Sequence, residues 1–344
     1  MTIPVLKDLS QRSASADILK TISILAVVFI HGSHLFPFSP SNLDFDPENL
    51  DFFKNAFRFC VPVFLFIWAY FMEKTTIKKG AGNSLARFYK LLIPFMFWSS
   101  VYFLLIANFK QLSLAAIISK HLTGYGWSGQ YYFIILFQLL LLFSIIRRIA
   151  LRFERFVPII YILSILFYGF ITYSHWFQIG IIGKLSYRPF FYWMPYVILG
   201  ILYAHRNIFR FSLPVAVVVI SPLLILIEIY YLHPPLENIY MLPGVFITSL
   251  VLLSSMQSKL TYENIPPHVG KSIQALANYT LGIFCLNPLI IIILSSLVKR
   301  VGFSVQFPGA SIVLPLISTV FICSACILLI NLIKKIRLGI LVAN

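Results

Sequence analysis

Apolar stretches of membrane-crossing length recur along the whole chain, and no other feature restricts the fold as strongly. A helix needs about 20 predominantly apolar residues to cross the hydrocarbon core of a bilayer. Ten such stretches can be marked, at residues 18–36, 51–73, 85–108, 129–149, 156–174, 188–204, 211–232, 239–256, 273–297 and 309–333. Charged residues make up only 11% of the 344, where a soluble domain carries roughly one quarter. The stretches are continuously apolar rather than alternating, which excludes a β-barrel. The expected class is therefore all-α, a polytopic membrane helical bundle of about ten transmembrane helices.

The formal net charge of +16 would suit nucleic acid if it were gathered on one soluble surface. It is not. With the N-terminus inside, most basic residues fall on one side of the bundle, in clusters such as Lys74, Lys78 and Lys79, or Arg147, Arg148 and Arg152. The first loop on the other side, "SPSNLDFDPENLD", is acidic. This asymmetry fits the positive-inside rule and places both termini in the cytoplasm, with the charge meeting membrane lipids and no nucleic-acid partner. Residues 1–16 are polar and the apolar run behind them is long enough to stay as an anchor, so no cleavable signal is expected. Cys323 and Cys326 form a C-x-x-C inside the apolar "FICSACILLI". A redox or zinc motif needs polar surroundings, so packing is expected there, with neither disulfide nor metal site. No internal repeat appears. The longest connections, 37–50, 74–84, 109–128 and 257–272, carry turn chemistry such as "KKGAGN" and "NIPPHVG". The chain reads as one integral-membrane domain over 1–344, so any chemistry sits within or between its helices.

One stretch breaks the apolar pattern. In "DILKTISILAVVFIHGSHLF", residues 17–36, Lys20 and His31 are eleven positions apart. Eleven steps of 100° come within about 20° of three full turns, so both side chains share one stripe, about 16 Å apart along the axis. His34 follows His31 by three and lies near the same face. Lys20 and His34 can also be read as groups reaching the two membrane surfaces. An imidazole as deep as His31 demands a partner, and ionisable groups at such depth usually face a cavity or reaction site. Arg58 poses the same demand about two turns into the second span, before Pro62, which can free a backbone carbonyl.

These residues carry a family resemblance. "DILKTISILAVVFIH" resembles the opening of the acyltransferase 3 family of bacterial membrane O-acyltransferases, which begins with Asp-x-x-Arg and a histidine eleven positions after the arginine. Asp17 and His31 match, and Lys20 stands where arginine is usual. "NAFRFCVPVFLFIWAYFM" is similar to the family's Arg-x-x-Val-Pro-x-Phe segment through Arg58, Val61, Pro62 and Phe64, with Trp68-Ala69 replacing the customary Ser-Gly. "LARFYKLLIPFMFW" is similar to the basic entry of the third helix. "ANYTLGIFCLNPLI" resembles a Tyr-Ser-Leu-Gly-Ile-Tyr-Leu-x-His-Pro signature, with Asn287 in place of the histidine. The nearest flavour is the branch of the enterobacterial common antigen O-acetyltransferase.

The resemblance implies transfer of an acyl group, commonly acetyl from acetyl-CoA, onto a hydroxyl of a cell-surface glycan or lipid-linked sugar, in the bacterial cytoplasmic membrane. Acyl-CoA would be a donor substrate, with no cofactor permanently bound. Histidine's ordinary pKa of about 6.5 suits a general base, so His31 takes that role, with a transient acyl-imidazole as a variant. Lys20, with Arg87 and Lys90, is assigned to the CoA phosphates; a lysine keeps the charge but lacks arginine's bidentate fork. Asp17 caps the helix start or pairs with Lys20. Arg58 is assigned to the acceptor or a developing oxyanion. On the acceptor side stand His34, Tyr131 and Tyr132 in "WSGQYYF", and Glu228, an acid deep in "LILIEIYYL"; Trp127 could stack on a sugar as well. Lys184 and Arg188 could meet a phosphorylated acceptor, or headgroups. The rival from another class is a transporter or flippase of a glycan or small anion, which ten spans and the prolines Pro62, Pro94, Pro195 and Pro288 would also suit.

Overall fold

A computed structural model describes residues 13–33, 35, 52–80, 84–106, 113–177, 186–206, 208, 213–257, 260–301 and 310–342. His34 and Lys184 lie outside them. The described residues are all-helical: α1 Ala14–Gly32, α2 Cys60–Lys79, α3 Ser84–Ile106, α4 Leu114–Leu122, α5 Tyr131–Arg152, α6 Val157–Tyr173, α7 Met194–His205, α8 Val215–Ile220, α9 Leu223–Leu232, α10 Pro243–Ser254, α11 Pro267–Asn278, α12 Thr280–Val301 and α13 Ala310–Lys335. Among the described residues, seven helical segments are long and apolar enough to cross a membrane. Three shorter apolar ones, Phe190–His205, Leu223–Leu232 and Pro243–Ser254, are too short to do so by length alone.

α1 and α2 form the interior. Two thirds of their apolar windows (67%) are buried inside the protein, against 28% for the α3 and α6 spans. α1 is packed by α2, α11, α12 and α13, and α2 lies along α7. The α2–α7 contact is close because small residues meet there: a Cβ on Gly200 would stand 2.5 Å from Phe66 O and 2.9 Å from Ala69 Cβ. Ala69, one of the departures from the family pattern, is thus a packing residue at a small-residue crossing. Cys285, Cys323 and Cys326 are buried in the packing of α12 and α13.

Several boundaries differ from the sequence expectation. α1 begins at Ala14 because Ser13 caps it, its Oγ accepting from Ala16 N at 3.3 Å. Asp17 is therefore not the cap; it sits inside the helix and pairs with Lys20. Arg58 is not two turns into a helix. It follows the 3-10 turn Lys54–Phe57 and precedes α2. Pro62 falls in the first turn of α2, where a missing N–H leaves no helical bond unmade. The expected span 211–232 is interrupted at Ser221–Pro222 and becomes α8 and α9, since Pro222 cannot donate to the ladder. The connections 109–128 and 257–272 contain α4 and the start of amphipathic α11. α11 is held on α1 by Thr21 Oγ1 donating to Ile273 O at 3.2 Å.

Candidate active site

A cavity of about 380 Å³ opens between α1, α2, α3, α5 and α12. Its mouth is basic: Lys20, Arg87 and Lys90 all line it, with Thr75 and Thr280. Three cations from two distant stretches of sequence therefore converge on one space. Lys20 Nζ stands 3.8 Å from Asp17 Oδ1 and 4.5 Å from the centre of the Phe71 ring. Asp17 is itself held by the Tyr262 hydroxyl at 2.7 Å, which ties the start of α1 to the turn before α11. Arg87 rests on the Met72 sulfur. From Thr75 to Phe64 the lining runs eleven residues along α2, about 16 Å of helix. Ile24, Ile67, Trp68, Leu136 and Leu140 make the walls apolar, and the far end is closed by Phe64, Tyr132 and Phe284.

Beyond that end lies His31. Its Nδ1 is 2.7 Å from Asn287 Oδ1. The Asn287 amide has one possible orientation, because its Nδ2 donates to the carbonyls of Ile283 at 2.9 Å and Phe284 at 2.8 Å. Carbonyls only accept, so the nitrogen must face them and the oxygen must face His31. An amide oxygen in turn only accepts, which places a proton on Nδ1. The lone pair of the neutral ring is then on Nε2, to which no described residue hydrogen-bonds.

The backbone around Asn287 explains how a polar side chain came to be available there. Pro288 cannot donate, so α12 has a break in its ladder at this point. Tyr102 fills the break: its hydroxyl donates to Cys285 O at 2.7 Å and accepts from Leu289 N at 3.0 Å. Asn287 covers the carbonyls next to it. The loop after α4 closes over the imidazole. Gly129 has φ +90°, and a Cβ there would stand 2.8 Å from Phe284 Cζ and 3.4 Å from His31 Cε1. A side chain at 129 is thus excluded by backbone conformation and by space alike.

Arg58 stands near enough for its charge to be felt at His31. Its Nε donates to Asn55 Oδ1 at 3.1 Å and its Nη1 to the Tyr240 hydroxyl at 3.0 Å. Tyr240 belongs to an aromatic group with Tyr131, 6.1 Å away, and Tyr187, 5.1 Å away. Burial pushes the Tyr187 hydroxyl up to about 12, so it is protonated at neutral pH. Arg188 lies on the Tyr125 ring, 3.2 Å from its centre. Tyr131 thus joins Arg58 through Tyr240, whereas Tyr132, one residue on, lines the cavity. Trp127 stacks on Tyr102 at 4.9 Å and is buried.

Glu228 is brought to neither group. Its Oε1 accepts from the Tyr173 hydroxyl and its Oε2 from Gly244 N, both at 2.6 Å. Gly244 is in the first turn of α10, so Glu228 caps that helix from α9 and ties α6, α9 and α10 together. The sequence reading passed over two residues of the site, Gly129 and Tyr240, and took Asn287, which stands in place of the family's histidine, as structural. For Asn287 a signal existed, a lone amide immediately before a proline in an apolar span.

With this geometry in view, the comparisons with known proteins are brief. The family model of the acyltransferase 3 domain, described as an acyltransferase domain, matches residues 13–331. No curated protein and no solved structure matches the chain, and nothing favours the enterobacterial common antigen branch over others. The matched segment takes in α1 with Lys20 and His31, the Arg58 turn, the basic start of α3, and α12 with Asn287. A multi-pass helical membrane protein with this domain across nearly its whole length belongs to the acyltransferase 3 family.

Proposed function

We propose that the chain is an O-acyltransferase of the bacterial inner membrane that moves an acyl group, acetyl from acetyl-CoA, onto a hydroxyl of a cell-surface glycan or lipid-linked sugar. The observation that carries this reading is a single cavity with three cations at its mouth and an aromatic wall beside an oriented histidine at its end. Ten crossings are made by the seven long helices and by the three shorter apolar ones together with the helical turns that flank them, such as α8 before α9, with both termini and the Lys20 rim in the cytoplasm. Lys20, Arg87 and Lys90 hold the anionic nucleotide end of acyl-CoA. The apolar walls take the pantetheine arm, whose reach is comparable to the cavity's length along α2.

At the far end, His31 Nε2 takes the proton of the acceptor hydroxyl as its oxygen attacks the thioester carbon. The C–S bond then breaks, and the proton passes from Nε2 to the departing thiolate, leaving ester and CoA thiol. Asn287 holds the ring so that Nε2 performs both transfers. Arg58 supplies positive charge where the oxyanion develops, and Tyr131 and His34 contact the acceptor.

The test is transfer of label from radiolabelled acetyl-CoA to glycan in membranes containing the full chain. Label on glycan that disappears in His31→Ala at equal expression supports the reading. Movement of glycan across the membrane without any CoA requirement supports transport instead. Full labelling by His31→Ala removes His31 from the chemistry.

A further inference from the structure

The cavity and the imidazole are neighbours that do not meet. His31 is absent from the cavity lining, which ends at Tyr132 and Phe284. Those two rings have centres 5.4 Å apart. The partition is thin: the point where a Gly129 Cβ would stand is 2.8 Å from Phe284 Cζ and 3.4 Å from His31 Cε1. At most the sum of those two distances separates ring tip from imidazole. Phe284 is only 7% exposed and is held between Trp127 at 6.1 Å and Phe133 at 6.0 Å. It also shares a helical turn with the partner of the base, since the Phe284 carbonyl accepts from Asn287 Nδ2. A shift of α12 at the Pro288 break would therefore move the ring and the amide together.

A partition at this place has a chemical use. A thioester delivered directly to an oriented base would be open to water as well as to a sugar hydroxyl. Water would attack the thioester carbon, its proton would pass to His31 Nε2, the C–S bond would break, and the thiolate would recover that proton. Acid and CoA thiol would be the products, with water the only co-reactant. Active sites suppress such side reactions by excluding water until the intended acceptor is in place.

We infer that Phe284, backed by Tyr132, is a positioning residue that parts the donor thioester from His31 until the acceptor arrives, and so keeps the acyl group from being lost to water. This rests on the acyltransferase reading above.

The experiment uses the full chain in lipid nanodiscs with acetyl-CoA and no sugar, and reads release of CoA thiol. Phe284→Ala is expected to raise release at least about tenfold over the unaltered protein, roughly 1.4 kcal/mol of barrier. The gain disappears in the double variant His31→Ala, Phe284→Ala, because the base is the same. In membranes, Phe284→Ala transfers less label to glycan per CoA released. Phe284→Leu, which keeps bulk and loses the flat ring, gives a smaller rise and serves if the alanine variant does not fold. A structural defect alone would lower both reactions rather than raise one. Unchanged thiol release in Phe284→Leu or Phe284→Ala protein that still labels glycan overturns the gate and leaves the acyltransferase reading standing. A gain that persists without His31 overturns it as well. If the unaltered protein neither labels glycan nor releases CoA thiol, the acyltransferase reading falls and the gate with it.

Discussion

His31 and His205 lie at opposite ends of the bundle interior and use the same ring in different ways. His31 meets a neutral amide, whose oxygen fixes the proton on Nδ1 and leaves Nε2 without a described partner. His205 meets Glu73, a fully buried carboxylate on α2, through its Nε2 at 2.7 Å. Glu73 is also gripped by Arg147 Nε, 2.9 Å from Oε1 and 2.8 Å from Oε2. A carboxylate only accepts, so His205 Nε2 must carry a hydrogen and offers no lone pair there. Each ring gives one N–H to an oxygen, His31 through Nδ1 to an amide beside the cavity and His205 through Nε2 to a carboxylate that ties α2, α5 and α7 together. What distinguishes them is the partner. An amide orients an imidazole without adding charge, while a buried carboxylate shared with an arginine makes the imidazole part of an ion cluster that joins helices.

Removing each histidine's function in turn breaks the comparison if it is wrong. His31→Ala should cut transfer of label to glycan by about a hundredfold or more, within the range for loss of a general base, while CoA binding measured by calorimetry changes little. Glu73→Ala should act on stability. Breaking a buried ion pair costs about 3–5 kcal/mol when the orphaned charge stays buried. Arg147 and His205 side chains are 34% and 29% exposed, so a loss of about 2–3 kcal/mol is expected. It would be seen as a lower midpoint of thermal unfolding in detergent, with turnover per folded molecule nearly unchanged. Loss of turnover without loss of stability would place Glu73 in the chemistry and erase the distinction.

Asn287→Ala is the finer probe. It leaves the His31 Nδ1 proton without its acceptor, and an unmet buried donor costs about 1–3 kcal/mol. If that cost falls on the reacting geometry, kcat drops roughly ten- to a hundredfold while KM for acetyl-CoA holds. Asn287→Asp keeps an oxygen toward the ring but cannot donate to the Ile283 and Phe284 carbonyls, so it should not restore full activity. Equal kcat in Asn287→Ala and the unaltered protein would show that the amide only repairs α12.

How much of this was legible beforehand follows from the range of each signal. The stripe joining Lys20 to His31 needed only the helical period; Lys20 lines the cavity, whereas His31 stands outside its lining, beyond Phe284. Interruption of 211–232 was missed because continuous apolar character hides a single Pro222. The His31–Asn287 pair spans 256 positions, and no local pattern predicts it; taken alone, Asn287 read as structural. Glu228 was read toward the acceptor because a deep acid looks functional, yet the same desolvation cost is met here by a tyrosine hydroxyl and a helix N-terminus. Convergence of Arg87 and Lys90 with Lys20 came from family resemblance rather than from spacing, since anchoring by the positive-inside rule places cations in the same way.

Those cations give the smallest expected effect. Lys20 is partly open to solvent, with 24% of its side chain exposed, and lies 3.8 Å from Asp17. Exposed pairs of this kind are worth about 0–1 kcal/mol, so Lys20→Gln should leave the unfolding midpoint almost unmoved. Its effect belongs to the donor: KM for acetyl-CoA should rise about fivefold to tenfold, or roughly 1–1.4 kcal/mol, with kcat and acceptor preference kept. Salt separates this from a change of shape. Screening weakens an exposed cation's pull on phosphate, so KM of the unaltered protein should climb with ionic strength and that of Lys20→Gln should climb less. A parallel salt response in the two proteins, or a change in acceptor preference larger than the change in KM, would move the phosphate site away from Lys20 and leave it as a membrane-surface anchor.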